Sequence, residues 1–416
     1  MITYNKFTLE NGLRVIVHED ASTPMVAVNV LYDVGSRDES PDKTGFAHLF
    51  EHLMFGGSAH VPEFDEPIQN AGGENNAFTN SDITNFYNIL PAQNVETAFW
   101  LESDRMLSLN FDEQVLDTQR KVVVEEFKET CLNQPYGDVW HHLSDMVYKE
   151  HPYRWPTIGK IPAHVEEASM EDVRTFYYKY YRPNNAILTV SGDVKTEAIR
   201  TLAEKWFGNI PKGDIPKRRL PMEAIQEDTR QIELEANVPL DAIYLAFPMP
   251  DRLHPDYYAV DLLSDVLCNG RSSRLYQQLL KKRLLFSQID CYVSGSIDPG
   301  VMIVEGKPAE GVSLAQAEAA IWSELDALVE KGVDEQELQK VKNRVESTLV
   351  FSEASVLNKA INLSFFEALG NIDRINEEAA LYQQVSVEDM ARVAKEILQR
   401  KRCSTLKYRA KLVEAV

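Results

Sequence analysis

Apolar residues recur along the chain at two spacings, and each spacing predicts an element. Phe7 and Leu9 alternate with polar residues before Asn11-Gly12, and Leu13, Val15 and Val17 alternate after it. A period of two on both sides of an Asn-Gly dipeptide predicts a β-hairpin over residues 7–19. Residues 25–34 alternate again, with Val26, Val28 and Val30 on one side. Between Gly45 and Gly56 the period changes. Phe46, Leu49, Phe50 and Leu53 stand at i, i+3, i+4 and i+7, one face of a short helix. A polar loop, 35–44, delivers the chain into it. Further on, the pattern predicts a helix over 64–71 that ends at Gly72-Gly73. Two strands follow around Ser81-Asp82, then helices over 94–107 and 112–132. His151-Pro152-Tyr153 opens a loop to about 162. Ser169, with Glu171-Asp172 behind it, is an N-cap for a helix to 180. A strand over 185–190 and a helix over 196–206 follow.

The same pattern then returns. At an offset of 217 residues Ser169, Glu171 and Asp172 become Ser386, Glu388 and Asp389, and Val26, Val28 and Val30 become Ile243, Leu245 and Phe247. The helix of residues 45–56 maps onto 260–268. The stretch 207–222 is rich in Gly and Pro and is basic, the composition of a solvated connection. The expectation is therefore an α+β protein of two homologous domains, each an antiparallel-rich sheet packed with helices. The domains are 1–210 and 225–416, joined by a linker at 211–224. Helices over 314–331 and 334–351 match the long helices of the first half in kind.

Candidate chemistry sits on the face of the 45–56 helix opposite the apolar stripe, where His48, Glu51, His52 and Phe55 fall. Two imidazoles four residues apart on one helix face can grip one metal ion, and a carboxylate between them can take a proton from a metal-bound water. The order H-x-x-E-H inverts the commoner zinc-protease signature. Zinc needs a third protein ligand. The helix predicted over 112–132 offers Glu113, Gln119, Glu125, Glu126 and Glu129, and His141, His142 and His151 are further donors; composition does not choose among them. In the second copy the three motif positions become Asp265, Cys268 and Asn269, so the repeat keeps the scaffold and lacks the triad.

Composition narrows the class. A formal charge of −21 argues against nucleic acid or an anionic membrane as partner and suits a cationic or unfolded peptide. Four scattered cysteines with no C-x-x-C pair suggest free thiols in a reducing compartment. No run reaches 18 apolar residues, and the N-terminus lacks a charged segment followed by an apolar one. The expected location is the cytoplasm, or the periplasm if a leader has been removed.

Over nearly its whole length the chain resembles the pitrilysin/insulinase family of inverted zincins, in particular its short, processing-peptidase-like members. The motifs that carry this are His48 to Gly57; Gly73 to Thr79; Val122 to Glu126; His151-Pro152-Tyr153 with Gly159; Tyr181 to Asn185; and Gly270 to Leu275. The resemblance implies a zinc metallopeptidase with one Zn²⁺ per chain on His48, His52 and Glu126, and Glu51 as catalytic base. It also implies that the strand bearing Asn76, Ala77, Phe78 and Thr79 binds extended peptide by strand addition. Two positions depart from the family pattern. Gln119 stands where a second glutamate is frequent, seven residues before the ligand, and can act there only as a hydrogen-bonding residue beside the site. Leu280 and Ser287 stand where many members carry an Arg…Tyr pair that holds the substrate carbonyl. The expected enzyme is thus the metal-bearing subunit of a heterodimer whose homologous partner brings the Arg…Tyr pair. The other arrangement is a homodimer using Arg274, Lys281, Lys282 or Arg283, with Arg283 nearest to Leu280 in the sequence. The reading from another class is a non-catalytic peptide-binding or structural subunit of a larger complex.

Overall fold

The computed structural model of the chain describes residues 1–411, and its contacts sort them into two compact units. One holds 1–129, 155–220 and 349–377; the other holds 130–154, 221–348 and the described residues from 378 on. The chain therefore crosses between units at the segment 211–224 and also at the ends of two exchanged pieces, 130–154 and 349–377.

The first unit is built on a six-stranded sheet. Its strands are β1 (Asn5–Thr8), β2 (Arg14–Glu19), β3 (Met25–Tyr32), β4 (Glu74–Thr79), β5 (Thr84–Pro91) and β6 (Ala186–Gly192), in the order β1-β2-β6-β3-β5-β4. Only β2 and β6 run parallel. The predicted hairpin is β1–β2, with Asn5 opposite Val17, and Gly12 takes a positive φ in its turn. β3 is buried on both faces. Val26, Val28 and Val30 enter the main core with Leu49, Phe50 and Leu53. On the other face Ala27 packs on Val356 and Ala360 of the helix Val356–Ala368. There Asn29 donates to Asn85 Oδ1 (3.0 Å) and Ser364 Oγ (2.9 Å), which satisfies an amide that would otherwise be costly to bury. That covering helix comes from the second exchanged piece.

The second unit holds β7 (Arg230–Ala236), β8 (Ala242–Pro248), β9 (Phe286–Val293), β10 (Val301–Pro308) and β11 (Ser404–Ala410), ordered β7-β11-β8-β10-β9. Strand for strand this repeats β2-β6-β3-β5-β4, and the one parallel pair, β7 with β11, falls at the same place. The expected α+β duplication is what the fold contains. Ile243, Leu245 and Phe247 lie on β8, the counterpart of β3. Ser169 and Ser386 each cap a helix in a box with Asp172 and Asp389. The connecting stretch has no helix or strand from Gly208 to Asp228, as its composition predicts. It is nonetheless tied down: Arg218 pairs with Asp33 and Asp38.

Candidate metal centre

The motif helix runs Phe46–Phe55. Its apolar face is fully committed: Phe50 is completely buried and stacks on Phe176 and Tyr181 at 5.1 Å. Losing such a ring costs about 3–5 kcal/mol, so this face anchors the helix on the core. His48, Glu51 and His52 are left half-buried on the far side. The helix starts at Gly45, whose φ of +88° suits glycine and where a Cβ would lie 2.8 Å from the Ile158 carbonyl oxygen. It stops at Gly56, whose bare Cα lets Val115 approach; a Cβ there would meet Val115 Cγ1 at 2.7 Å.

Val115 belongs to the helix Glu113–Phe127, capped by Asp112, which accepts from the N–H groups of Gln114 and Val115. Leu116, Val123, Val124 and Phe127 bury one side of it, and the helix packs beside the motif helix. The α-helix ends at Phe127 and continues as a wider π-turn to Asn133, where the sequence predicts one helix throughout.

This packing sets one of the carboxylates beside the two histidines. Glu126 Oε1 lies 3.7 Å from His48 Nε2, and Glu126 Oε2 lies 3.3 Å from His52 Nε2. The three donor atoms all fall within 4.8 Å of one another, the one such group of His, Cys, Asp or Glu among the described residues. Tetrahedral bonds of about 2.0–2.1 Å put neighbouring donors about 3.3 Å apart, so the spacing suits a zinc-sized ion. Protonation suits it too. Burial holds the His48 imidazole below its usual range, against the pull of Glu126. The bond from His52 holds the Glu126 carboxyl below the usual carboxylate range. A neutral imidazole and an ionised carboxylate are the forms that bind metal. Nδ1 of His48 is buried with no hydrogen-bond partner among the described residues.

The other donors stand elsewhere. Glu125 is exposed and pairs with Lys128 at 2.6 Å; Glu113 and Glu129 are exposed. Gln119 is half-buried, two helical turns before Glu126. In the second unit His142 pairs with Asp138, His151 pairs with Asp298, and His141 is outside any such group. At the repeat's motif positions Asn269 donates to Asp265, and burial pushes the Cys268 thiol far up.

β4 is the open edge of the first sheet, and the motif helix packs beside it. Asn76 is exposed; Ala77, Phe78 and Thr79 are half-buried. Ala77 donates its backbone N–H to the Asn76 side-chain oxygen at 2.8 Å, so that group is not committed to the β5 ladder. In the second unit Leu280 is half-buried and offers no donor, and Ser287 donates to the Lys307 carbonyl at 3.1 Å. Arg274 is held by Glu337 and the Gly332 carbonyl, and Arg283 lies 3.8 Å from Glu324. Among the described residues no helix is long and apolar enough to cross a membrane. The four cysteines, Cys131, Cys268, Cys291 and Cys403, are all buried.

Two models of one family match the sequence: "Insulinase (Peptidase family M16)" over residues 14–160 and "Peptidase M16 inactive domain" over 167–345. The chain is 29% identical over 401 residues to the zinc protease PqqE of Helicobacter pylori, covering 94% of this chain and 90% of that one. It is 27% identical over 257 residues to the beta subunit of the mitochondrial-processing peptidase of Saccharomyces cerevisiae, covering 60% and 55%. A crystal structure of a Helicobacter pylori protease superposes with a TM-score of 0.92 at 28% identity, covering 98% of this chain and all of the other.

Proposed function

The chain belongs to peptidase family M16, the insulinase family, and from that premise we propose that it is a catalytically active zinc endopeptidase acting on peptides bound in extended form. The observation that carries this is the convergence of His48, His52 and Glu126 donors from two helices to within 4.8 Å. A zinc ion there, one per chain, would supply Lewis acidity, polarising a peptide carbonyl and acidifying a water. Glu51, on the same helix face, is the base: it takes the proton of the attacking water and returns it to the leaving amine. Gln119 serves beside the site as a hydrogen-bonding group.

The substrate lies along β4, whose outer edge pairs with no strand in the sheet and lies beside the motif helix. Backbone pairing reads no side chains, so sequence preference is loose and folded substrates are poor. The oxyanion needs donors that Leu280 and Ser287 do not supply. We therefore infer a two-chain enzyme in which this chain brings the metal and a homologous partner brings the carbonyl-binding side chains. One relative is itself named as a subunit of a processing peptidase. The test is cleavage of an unstructured peptide library by the zinc-loaded chain with candidate partners. Activity should vanish with chelator and return with zinc; chelator-resistant cleavage would refute the reading.

A further inference from the structure

The loop before the motif helix reads from sequence as a polar connection, yet it holds a buried carboxyl. Glu39 folds back against the helix start and is only 8% exposed. Both of its oxygens are used. Oε2 accepts from the Gly45 N–H at 2.9 Å, and Oε1 accepts from the Ala47 N–H at 2.8 Å. The first N–H groups of a helix have no partner within it, and Gly45, at the N-cap, has no side chain to supply one. Glu39 is the cap delivered from outside the helix. Burial pushes its carboxyl up to about 8, and the two N–H bonds oppose that rise.

The loop that carries Glu39 is itself fixed to the sheet. The N–H groups of Ser36 and Arg37 bond to the carbonyls of Asn80 and Ser81, in the turn between β4 and β5, at 3.2 and 3.0 Å. Trp155 Nε1 donates to the Ser36 carbonyl at 3.0 Å. Glu39 thus links the β4–β5 turn to the helix, and its second bond ends one residue before His48. Side-chain tips stand about 5–6 Å from a helix axis, so a 20° turn of the helix would move an imidazole nitrogen by about 2 Å. Metal sites tolerate about ±0.2 Å.

We propose that Glu39 is a positioning residue for the metal centre: its paired bonds to Gly45 and Ala47 set the rotation of the motif helix so that His48 and His52 face Glu126. The proposal rests on the zinc-peptidase reading above. Glu39 is not among the three converging donors, and its two oxygens bond to backbone N–H groups of the motif helix's first turn.

The test compares the wild-type chain with Glu39→Ala, Glu39→Gln and Ser386→Ala, a matched loss of a helix cap in the other unit. Zinc affinity is read by competition with a chromophoric chelator, with folding checked by circular dichroism and apo-protein thermal midpoints. Ser386→Ala should lower the midpoint and leave zinc affinity unchanged. Glu39→Ala should weaken zinc binding about 10- to 100-fold, as loss of a supporting residue behind a metal ligand does. Glu39→Gln should fall between, because its amide keeps one acceptor and turns an NH₂ toward the other N–H. Should Glu39→Ala not fold, Glu39→Gln decides. Folded Glu39 variants with wild-type zinc affinity would overturn the proposal. A wild-type chain that takes up no zinc would instead overturn the reading of the site on which it rests.

Discussion

Nε2 of His52 lies 3.3 Å from Oε2 of Glu126, across the contact between two helices that are distant in sequence. The distance follows from packing on both sides. Phe50 anchors the motif helix on the core, and the bare Cα of Gly56 lets the Glu126 helix approach through Val115. The site's geometry is therefore a property of the first unit's core.

Glu51 shares the exposed face of the motif helix with the two histidines but stands outside the donor group. Glu51→Gln should keep wild-type zinc content and lower kcat by about 10²–10⁴, the usual contribution of a general base, with KM little changed. Metal analysis beside steady-state kinetics checks both halves. Loss of zinc in this variant would make Glu51 a ligand rather than a base.

At the sheet edge, Ala77 directs its N–H to its neighbour's side chain and away from β5. Proline is tolerated on edge strands where the N–H faces outward. Ala77→Pro should therefore fold normally and raise KM for extended peptides about 3- to 10-fold, the worth of one backbone hydrogen bond. An unchanged KM with a normal thermal midpoint would move the substrate off this edge.

The second unit bears on partnership. Ser287 is turned to the Lys307 carbonyl, Leu280 has no polar group, and Arg274 is occupied by Glu337. Missing oxyanion donors cost about 10²–10³ in rate. The zinc-loaded chain alone should be that much slower than the chain mixed with a homologous partner carrying an Arg…Tyr pair. If the chain alone reaches the mixture's rate, and Arg283→Ala abolishes it, a homodimer stands in place of the two-chain enzyme.

Much of this was legible in the sequence because it is local. The period-two runs of β1 to β3, the Asn11-Gly12 turn, the capping boxes at Ser169 and Ser386 and the motif helix each announce themselves within a dozen residues. The duplication was legible because the same local signals recur at a fixed offset. What depends on long-range packing was not. Nothing near Val356 says that its helix will cover Ala27 and Asn29 on β3. The polar loop 35–44 gave no sign that Glu39 is buried against the helix it precedes. Glu126 carried no local mark that separates it from Glu125, one residue away. Only the face it presents to the motif helix does, and a family resemblance supplied that choice in advance of the geometry.

The proposed zinc site depends most on Glu126 as its third donor, and zinc stoichiometry tests that directly. Wild-type protein stripped with chelator and reloaded should hold about one zinc ion per chain after gel filtration. Glu126→Gln should lose most of it, whereas Glu125→Gln and Glu129→Gln, whose side chains point to solvent, should retain it. Full zinc occupancy in Glu126→Gln, or loss in Glu125→Gln, would contradict the assignment.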